Sequence, residues 1–94
     1  MDILDYIPYG KENAIRRGSL VLLTGLNDRG VREAISKARR NTPILNMQDG
    51  SGYYRPTKEE LPELRRYVAQ EERRAKSVFY SLKSARDAAK RLGG

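Results

Sequence analysis

The chain has 94 residues, of which 38% are hydrophobic and 33% charged, with a mean hydropathy of −0.75. This length suffices for one small domain with a modest core. Cysteine and histidine are absent from the sequence, which excludes disulfides, Cys or His nucleophiles and the usual zinc sites. We therefore expect no metal and no cofactor. No apolar run is longer than residues 20–23, so we expect no membrane segment and a cytoplasmic location.

The chain is strongly basic, with 19 Lys and Arg against 12 Asp and Glu, a net charge of +7. Two stretches carry the excess: residues 16–41 have a net charge of +5 and residues 73–94 a net charge of +6, whereas residues 1–15 and 57–72 each sum to −2. Acidic residues at the start and basic residues at the end of one helix complement its macrodipole. This is a simple explanation for the positive charge of the C-terminal stretch. The central stretch indicates an anionic partner, most simply a nucleic acid.

Two helices separated by a tight turn are predicted in the central stretch. Gly25 suits a helix C-cap with positive φ, and Asn27 suits the N-cap of the next helix. From residue 28 onward one helical face is apolar, and it consists of Val31, Ala34, Ile35 and Ala38. Upstream, the apolar residues of segment 3–7 have helical spacing, and residues 14–15 suit a short extended segment.

A β-hairpin is predicted after this pair of helices. Residues 44–47 and 53–55 are β-prone, and the turn residues between them include Asp49-Gly50 and a second glycine. Of Tyr53 and Tyr54, we expect one to pack inward.

A long C-terminal helix is predicted for residues 58–91, opened by a Thr57-x-x-Glu60 capping box. With Leu61 as heptad position a, nine of the ten a and d positions up to Leu92 are apolar, and Glu71 is the exception. Such a helix is about 50 Å long at 1.5 Å per residue, against roughly 20–25 Å for a compact domain of the preceding residues. It must overhang, bend or pair with another chain.

This helix is the candidate oligomer or partner interface. One interpretation is that its first turns cover the core while the rest frays. The other is a homodimer seam in parallel or antiparallel orientation, since an exposed apolar stripe usually indicates a partner. The candidate interface residues are Ala75, Val78, Phe79, Leu82, Ala85 and Ala89.

The order helix, short segment, helix-turn-helix and hairpin resembles a winged helix-turn-helix domain. Residues 15–35, IRRGSLVLLTGLNDRGVREAI, are similar to the helix-turn-helix core of that family, and Gly50-Ser51-Gly52-Tyr53 is similar to the wing of the biotin-repressor N-terminal domain type. The resemblance covers residues 2–56 and extends to small phage and prophage regulators. It implies a mostly α fold with a small β-hairpin wing, in which residues 1–56 form the winged domain and residues 57–94 the long C-terminal helix.

The resemblance also implies binding of double-stranded DNA by a transcriptional or phage-type regulator. Residues 28–40 would be the recognition helix, which enters the major groove with its N-terminal residues at base edges. Arg29 and Arg32 are candidates for base readout because a guanidinium matches guanine O6 and N7. Glu33 could accept a hydrogen bond from cytosine N4. The remaining predicted residues are expected to contact phosphates or to lie in the wing that contacts the DNA. The predicted DNA-binding residues are Arg16, Arg17, Asp28, Arg29, Arg32, Glu33, Ser36, Lys37, Arg40, Gln48, Ser51 and Arg55.

Other interpretations stay open. Arg29, Glu33 and Lys37 also form an i, i+4, i+8 ladder of alternating charge, which is typical of a solvated helix face. Alternatively the winged domain is a scaffold, and the long helix docks a larger protein as an interaction adaptor. RNA binding is less favoured because the sequence shows no aromatic stacking surface.

Acidic clusters lie where they complement helix dipoles, and no phosphate-cradling glycine loop occurs, so we expect no catalytic residues and no enzymatic activity.

Overall fold

The computed structural model describes residues 2–47 and 49–93. In chain order these form a 3₁₀ helix (Ile3–Tyr6), a 3₁₀ turn (Lys11–Asn13), helix α1 (Arg17–Thr24), helix α2 (Asp28–Ala38), strand β1 (Leu45–Asn46), strand β2 (Tyr53–Tyr54), a 3₁₀ turn (Lys58–Glu60) and helix α3 (Leu61–Leu92). The predicted fold class, mostly α with a small antiparallel hairpin and a long C-terminal helix, is confirmed.

The turn between α1 and α2 forms through the two predicted caps. Gly25 adopts a left-handed conformation with φ of 75°, and its N–H donates to the carbonyl of Val21. Asn27 caps α2, since its side-chain oxygen accepts from the backbone N–H of Gly30 at 2.7 Å. Both caps satisfy backbone groups that a helix end leaves unpaired, so the chain can reverse direction between two short helices.

The main core lies between the first 3₁₀ helix, the two helices and one face of the hairpin. On α2, Val31 and Ile35 are buried and Ala34 and Ala38 are half-buried against the core, which confirms the predicted apolar face. The buried members of this core are Ile3, Ile7, Leu20, Val31, Ile35, Ile44 and Tyr53.

The hairpin is shorter than the predicted strands because backbone groups next to it form hydrogen bonds with neighbouring segments instead of with the opposite strand. β1 and β2 pair antiparallel with Leu45 opposite Tyr54. Arg55 leaves this ladder, since its N–H donates to the carbonyl of Pro8 at 2.7 Å and its own carbonyl accepts from Gly10 at 2.9 Å. On its outer side, Tyr53 exchanges two backbone hydrogen bonds with Ile15, of 2.9 and 2.7 Å, so the predicted extended segment at residues 14–15 does pair with the hairpin.

Both tyrosines of β2 are buried, and the expectation that only one packs inward was wrong. Successive strand residues point to opposite faces: Tyr53 belongs to the main core, whereas Tyr54 and its partner Leu45 point the other way and are also fully buried. α3 contacts β1 on that side. Because the start of α3 covers the second face, the hairpin is buried between two layers.

α3 begins on the body of the molecule and then leaves it. Thr57 and Glu60 form the predicted capping box around one 3₁₀ turn, Lys58–Glu60, and α3 follows directly. The radius of gyration is 16.8 Å and the longest axis 52 Å, against about 12 Å for the radius of gyration of a compact domain of this length. We call residues 2–71 the body and residues 72–93 the outer segment, in which all side chains are exposed except the half-buried Ala88. Within the single chain, the helix overhangs the body.

Within the described ranges, no helix combines the length and the apolar character needed to cross a bilayer.

Candidate nucleic-acid interface

The outward side of α2 is polar and exposed along its whole length. Burial of Val31 and Ile35 fixes the rotation of the helix, so the residues half a turn away face solvent. The exposed residues of this side, including the position just beyond the helix, are Asp28, Arg29, Arg32, Glu33, Ser36, Lys37 and Arg40. The structure thus exposes seven of the predicted DNA-binding residues on or just beyond one helix.

Asp28 connects the start of α1 to the start of α2. Its Oδ1 accepts a hydrogen bond from Arg17 Nε at 2.6 Å, and its Oδ2 forms an ion pair with Arg32 Nε at 3.3 Å. A hydrogen bond with the Tyr53 side chain, and then the bond and charge of Asp28, raise the pKa of Arg17 above its usual value. Because an arginine is charged in any case, the consequence is positional: Arg17 and Arg32 are held next to each other.

The tip of the hairpin lies beside the start of α1. A shallow groove is lined by Arg16 and Arg17 on one side and by Asn46, Gly50, Gly52 and Tyr53 on the other. We define the basic face as the exposed side of α2 together with Arg16 and Arg17; its six basic residues exceed Asp28 and Glu33 by four charges. The hairpin tip flanks this face.

Ion pairs neutralise part of the basic face. Arg29 Nε donates to Glu33 Oε1 at 3.0 Å, which is the first step of the charge ladder that the sequence also suggested. Arg16, Lys37 and Arg40 have no carboxylate within 4.0 Å in the described part of the chain. Exposed ion pairs contribute only about 0–1 kcal/mol, so a phosphate can replace the carboxylate of an exposed pair at small cost.

The side chain of Ser51 is engaged within the hairpin tip. Its N–H and hydroxyl both donate to Asp49 Oδ1, at 3.0 and 2.7 Å, and Lys11 Nζ lies 2.5 Å from the other oxygen of Asp49. Hydrogen bonds from Lys11 and then from Ser51 hold the pKa of Asp49 well below its usual range. The tip is therefore tied to the loop at residue 11, and any contact of Ser51 with a ligand competes with these bonds.

Arg55 contacts the N-terminal segment. Its Nε donates to the carbonyl of Ile7 at 3.0 Å, and its guanidinium lies 4.1 Å from the ring centroid of Tyr9. These contacts hold the base of the hairpin against the N-terminal segment.

Lys37 lies at the edge of the basic face, where it lines a shallow depression with Asp2 and Ile3. Gln48, predicted for the wing, lies outside the described residues.

Two positions in or beside this region were not predicted from the sequence. Asn46 lines the groove beside Arg16. Because Leu45 is buried and successive strand residues point to opposite faces, the sequence pattern could have indicated that Asn46 is accessible. Arg39 donates from Nε to the carbonyl of Ile44 at 2.9 Å, and its guanidinium lies between two tyrosine rings, 5.8 Å from Tyr53 and 5.5 Å from Tyr67. No sequence pattern indicated this cluster, which joins α2, the hairpin and α3.

The candidate interface residues of α3 occupy the outer segment. All of them are exposed, and the Phe79 ring contacts the Arg86 guanidinium at 4.8 Å and the Tyr80 ring edge-on at 6.2 Å. They comprise Ala75, Val78, Phe79, Leu82, Ala85 and Ala89. The apolar surface thus faces solvent in the single chain.

Comparison of this chain with protein-family models, curated proteins and solved structures gives no match. Among residues 2–47 and 49–93 no group of three or more acidic side chains is arranged to hold a metal ion.

Proposed function

We propose that this protein binds double-stranded DNA in a sequence-specific manner, as a small winged-helix regulator of transcriptional or phage type. α2 enters the major groove, and the hairpin tip and the start of α1 contact the phosphate backbone. The observation that supports this proposal best is the basic face, in which Asp28 holds Arg17 of α1 beside Arg32 of α2 next to the hairpin tip.

The dimensions of α2 suit the major groove. A helix of 11 residues is about 16 Å long at 1.5 Å per residue, and the groove is about 12 Å wide and admits one α-helix. Arg29 and Arg32 lie in the first turns of α2, from which side chains reach base edges in helix-turn-helix proteins. Arg16, Lys37 and Arg40 are then available for phosphates on either side.

The positions of the aromatic residues favour a duplex over a single strand. Single-stranded nucleic acids are bound by stacking bases on exposed aromatic rings. Tyr53 and Tyr54 are buried, and the Tyr9 ring is covered on one side by the Arg55 guanidinium. The remaining exposed rings of the described chain, Phe79 and Tyr80, lie on the outer segment and not on the basic face.

Selection from a randomised duplex pool at physiological salt, followed by sequencing, tests this proposal. The wild-type protein should enrich a motif. The double variant Arg29→Ala/Arg32→Ala should lose that enrichment and bind the selected site at least about tenfold more weakly, since one bidentate arginine–guanine contact provides roughly 1–3 kcal/mol of discrimination.

A matched control removes the same charge from the outer segment, in Lys83→Ala/Arg91→Ala. This variant should keep the motif and the affinity to within about threefold, because a purely electrostatic contribution depends on salt and not on sequence. Equal weakening by both double variants, with no enriched motif, would reduce the interaction to nonspecific attraction and overturn the proposal.

The alternative function is that of an interaction adaptor which docks a protein partner through α3. It is favoured by the exposure of Val78 and Leu82, at 55% and 45%, because large apolar side chains on one exposed stripe usually indicate a partner. If Arg29→Ala/Arg32→Ala leaves DNA binding unchanged while Val78→Glu/Leu82→Glu abolishes association with a partner, the adaptor function is the better description.

A further inference from the structure

The outer segment carries an apolar stripe with an ordered sequence of large and small residues. Along its a and d positions lie Ala75, Val78, Leu82, Ala85 and Ala89, and every one of them is exposed. Two further apolar side chains extend the stripe at its ends, Val68 at 45% and Leu92 at 88% exposure. A stripe about 36 Å long, at 1.5 Å per residue, is too long for this chain's own body to cover.

We propose that this stripe pairs with the same stripe of a second copy in antiparallel orientation. In an antiparallel helix pair each a position lies beside a d position of the other helix. The register that opposes Leu82 to Val78 of the second copy also opposes Ala75 to Ala85 and Val68 to Leu92 of that copy. Large residues then meet in the middle and at both ends, while small residues let the helices approach in between.

Glu71, the single polar residue at an a or d position, selects this orientation. In a parallel pair Glu71 would face Glu71 of the second copy, which places two like charges in the seam. In the antiparallel register it lies beside Ala89 of the second copy, close to Arg86 and Lys90 of that copy. A carboxylate at the seam is destabilising beside a carboxylate and tolerated beside basic residues.

The flanking positions agree with the same register. Glu72 and Arg86 both occupy heptad position e, and in the antiparallel register Glu72 of each copy lies opposite Arg86 of the other. Phe79, 55% exposed, lies at the centre of the pair, opposite Phe79 of the second copy, and adds aromatic area to the seam. The pair thus contains complementary charges at both ends and an apolar centre.

This inference goes beyond the proposed function and does not depend on it, because the stripe lies outside the basic face. Its structural consequence is that the two bodies stand at opposite ends of the helix pair. A parallel pair would instead place both bodies at the same end.

Cysteine cross-linking of the full chain tests both pairing and register, and the absence of native cysteine makes single-cysteine variants unambiguous. In the proposed register residue 75 of one copy lies beside residue 85 of the other, whereas the two copies of residue 75 lie about 15 Å apart along the helix axis. A disulfide requires Cα atoms within about 7 Å. An oxidised mixture of Ala75→Cys and Ala85→Cys proteins should therefore form the mixed dimer, and each variant alone should form little disulfide.

Sedimentation equilibrium of the full chain over a range of concentrations provides the second measurement. Leu82→Glu should raise the dissociation constant at least about tenfold, since it places a charge in the apolar centre. Ser84→Glu introduces the same charge two residues further, on the outer side, and should change the dissociation constant by less than about threefold.

Three results would overturn the proposal. A wild-type chain that stays monomeric at every concentration would exclude pairing with a second copy and leave the stripe to a different protein. Disulfide formation between two copies of Ala75→Cys, with no mixed disulfide between Ala75→Cys and Ala85→Cys, would show a parallel pair. Equal weakening by Leu82→Glu and Ser84→Glu would show that association does not use the stripe.

Discussion

The two halves of α3 contain the same heptad pattern and meet opposite environments. In the first half, Leu64 and Tyr67 are half-buried against the body, and α3 contacts β1. In the second half, Val78 and Leu82 are about half exposed, and the described chain offers nothing for them to cover. Apolar periodicity therefore predicts which side of a helix can be buried. Whether that side is covered within the same chain depends on where the other elements lie.

The first half is also fixed by polar contacts that the second half lacks. The Glu60 carboxylate accepts from the backbone N–H groups of Thr57 and Lys11, at 2.9 and 2.8 Å, and Tyr67 lies against the Arg39 guanidinium. In the outer segment the side-chain contacts within the described chain are local to the helix, such as Arg86 against Phe79. The direction in which α3 leaves the body is thus set by its first three turns.

The largest expected effect tests the packing of the body. Gly52 has φ of 105°, and a Cβ there would overlap the carbonyl of Ile15. Gly52→Ala should lower the free energy of unfolding by about 3 kcal/mol, because backbone strain and the clash at the paired edge add. Urea unfolding followed by circular dichroism measures this change.

Gly50→Ala is the matched control for that substitution. Gly50 also has positive φ, of 78°, but a Cβ there meets nothing within 4 Å. The expected cost is about 1 kcal/mol, which is the conformational penalty alone. Equal costs at both glycines would mean that the close approach of the hairpin to Ile15 does not stabilise the body.

A second prediction concerns the joint between the body and α3. Arg39→Ala removes a hydrogen bond to the carbonyl of Ile44 and contacts with two tyrosine rings. We expect a loss of about 2 kcal/mol in unfolding free energy, from roughly 0.5–1 kcal/mol for each cation–π contact and about 1 kcal/mol for the hydrogen bond. Arg40→Ala, at the exposed next residue, should change stability by less than about 0.5 kcal/mol. If Arg39→Ala also changed the unfolding free energy by less than about 0.5 kcal/mol, the Arg39 cluster would not be what holds α3 to the hairpin and α2.

The features that sequence predicted correctly are those whose partners lie a few residues apart. The caps at Gly25 and Asn27 and the capping box at Thr57 each depend on four or five consecutive residues, so the local pattern contains the information. The rotation of α2 likewise followed from the spacing of Val31 and Ile35. For the same reason the sequence indicated which α2 side chains share the exposed side.

What sequence did not predict depends on contacts between distant residues. The Arg55 side chain donates to a carbonyl that lies 48 residues away, at Ile7. The second buried tyrosine, Tyr54, required knowledge of where α3 crosses the hairpin. The Arg39 cluster joins three elements. Local patterns contain no information about such pairs, because their partners come together only when the chain is folded.

The smallest expected effect lies at the start of α3 and depends on pH. Hydrogen bonds from the backbone N–H groups of Thr57 and then of Lys11 lower the pKa of Glu60. Because the folded-state pKa is below the unfolded-state value, the ionised carboxylate stabilises the fold fully above the ordinary pKa of a glutamate. That stabilisation is lost as the pH falls through the lower, folded-state pKa.

Glu60→Gln should therefore lower the unfolding free energy at pH 7, by about 1 kcal/mol as for other lost helix caps, and should lose less stability than the wild type between pH 7 and pH 3. Urea unfolding at the two pH values measures both quantities. Glu59→Gln is the matched control, since Glu59 is the exposed neighbour and its substitution should leave the wild-type loss on acidification intact. If Glu60→Gln and the wild type lost equal stability on acidification, the carboxylate of Glu60 would not hold the start of α3 to the loop at residue 11. The contrast between the two halves of α3 would then rest on apolar packing and on the contact of Arg39 with Tyr67.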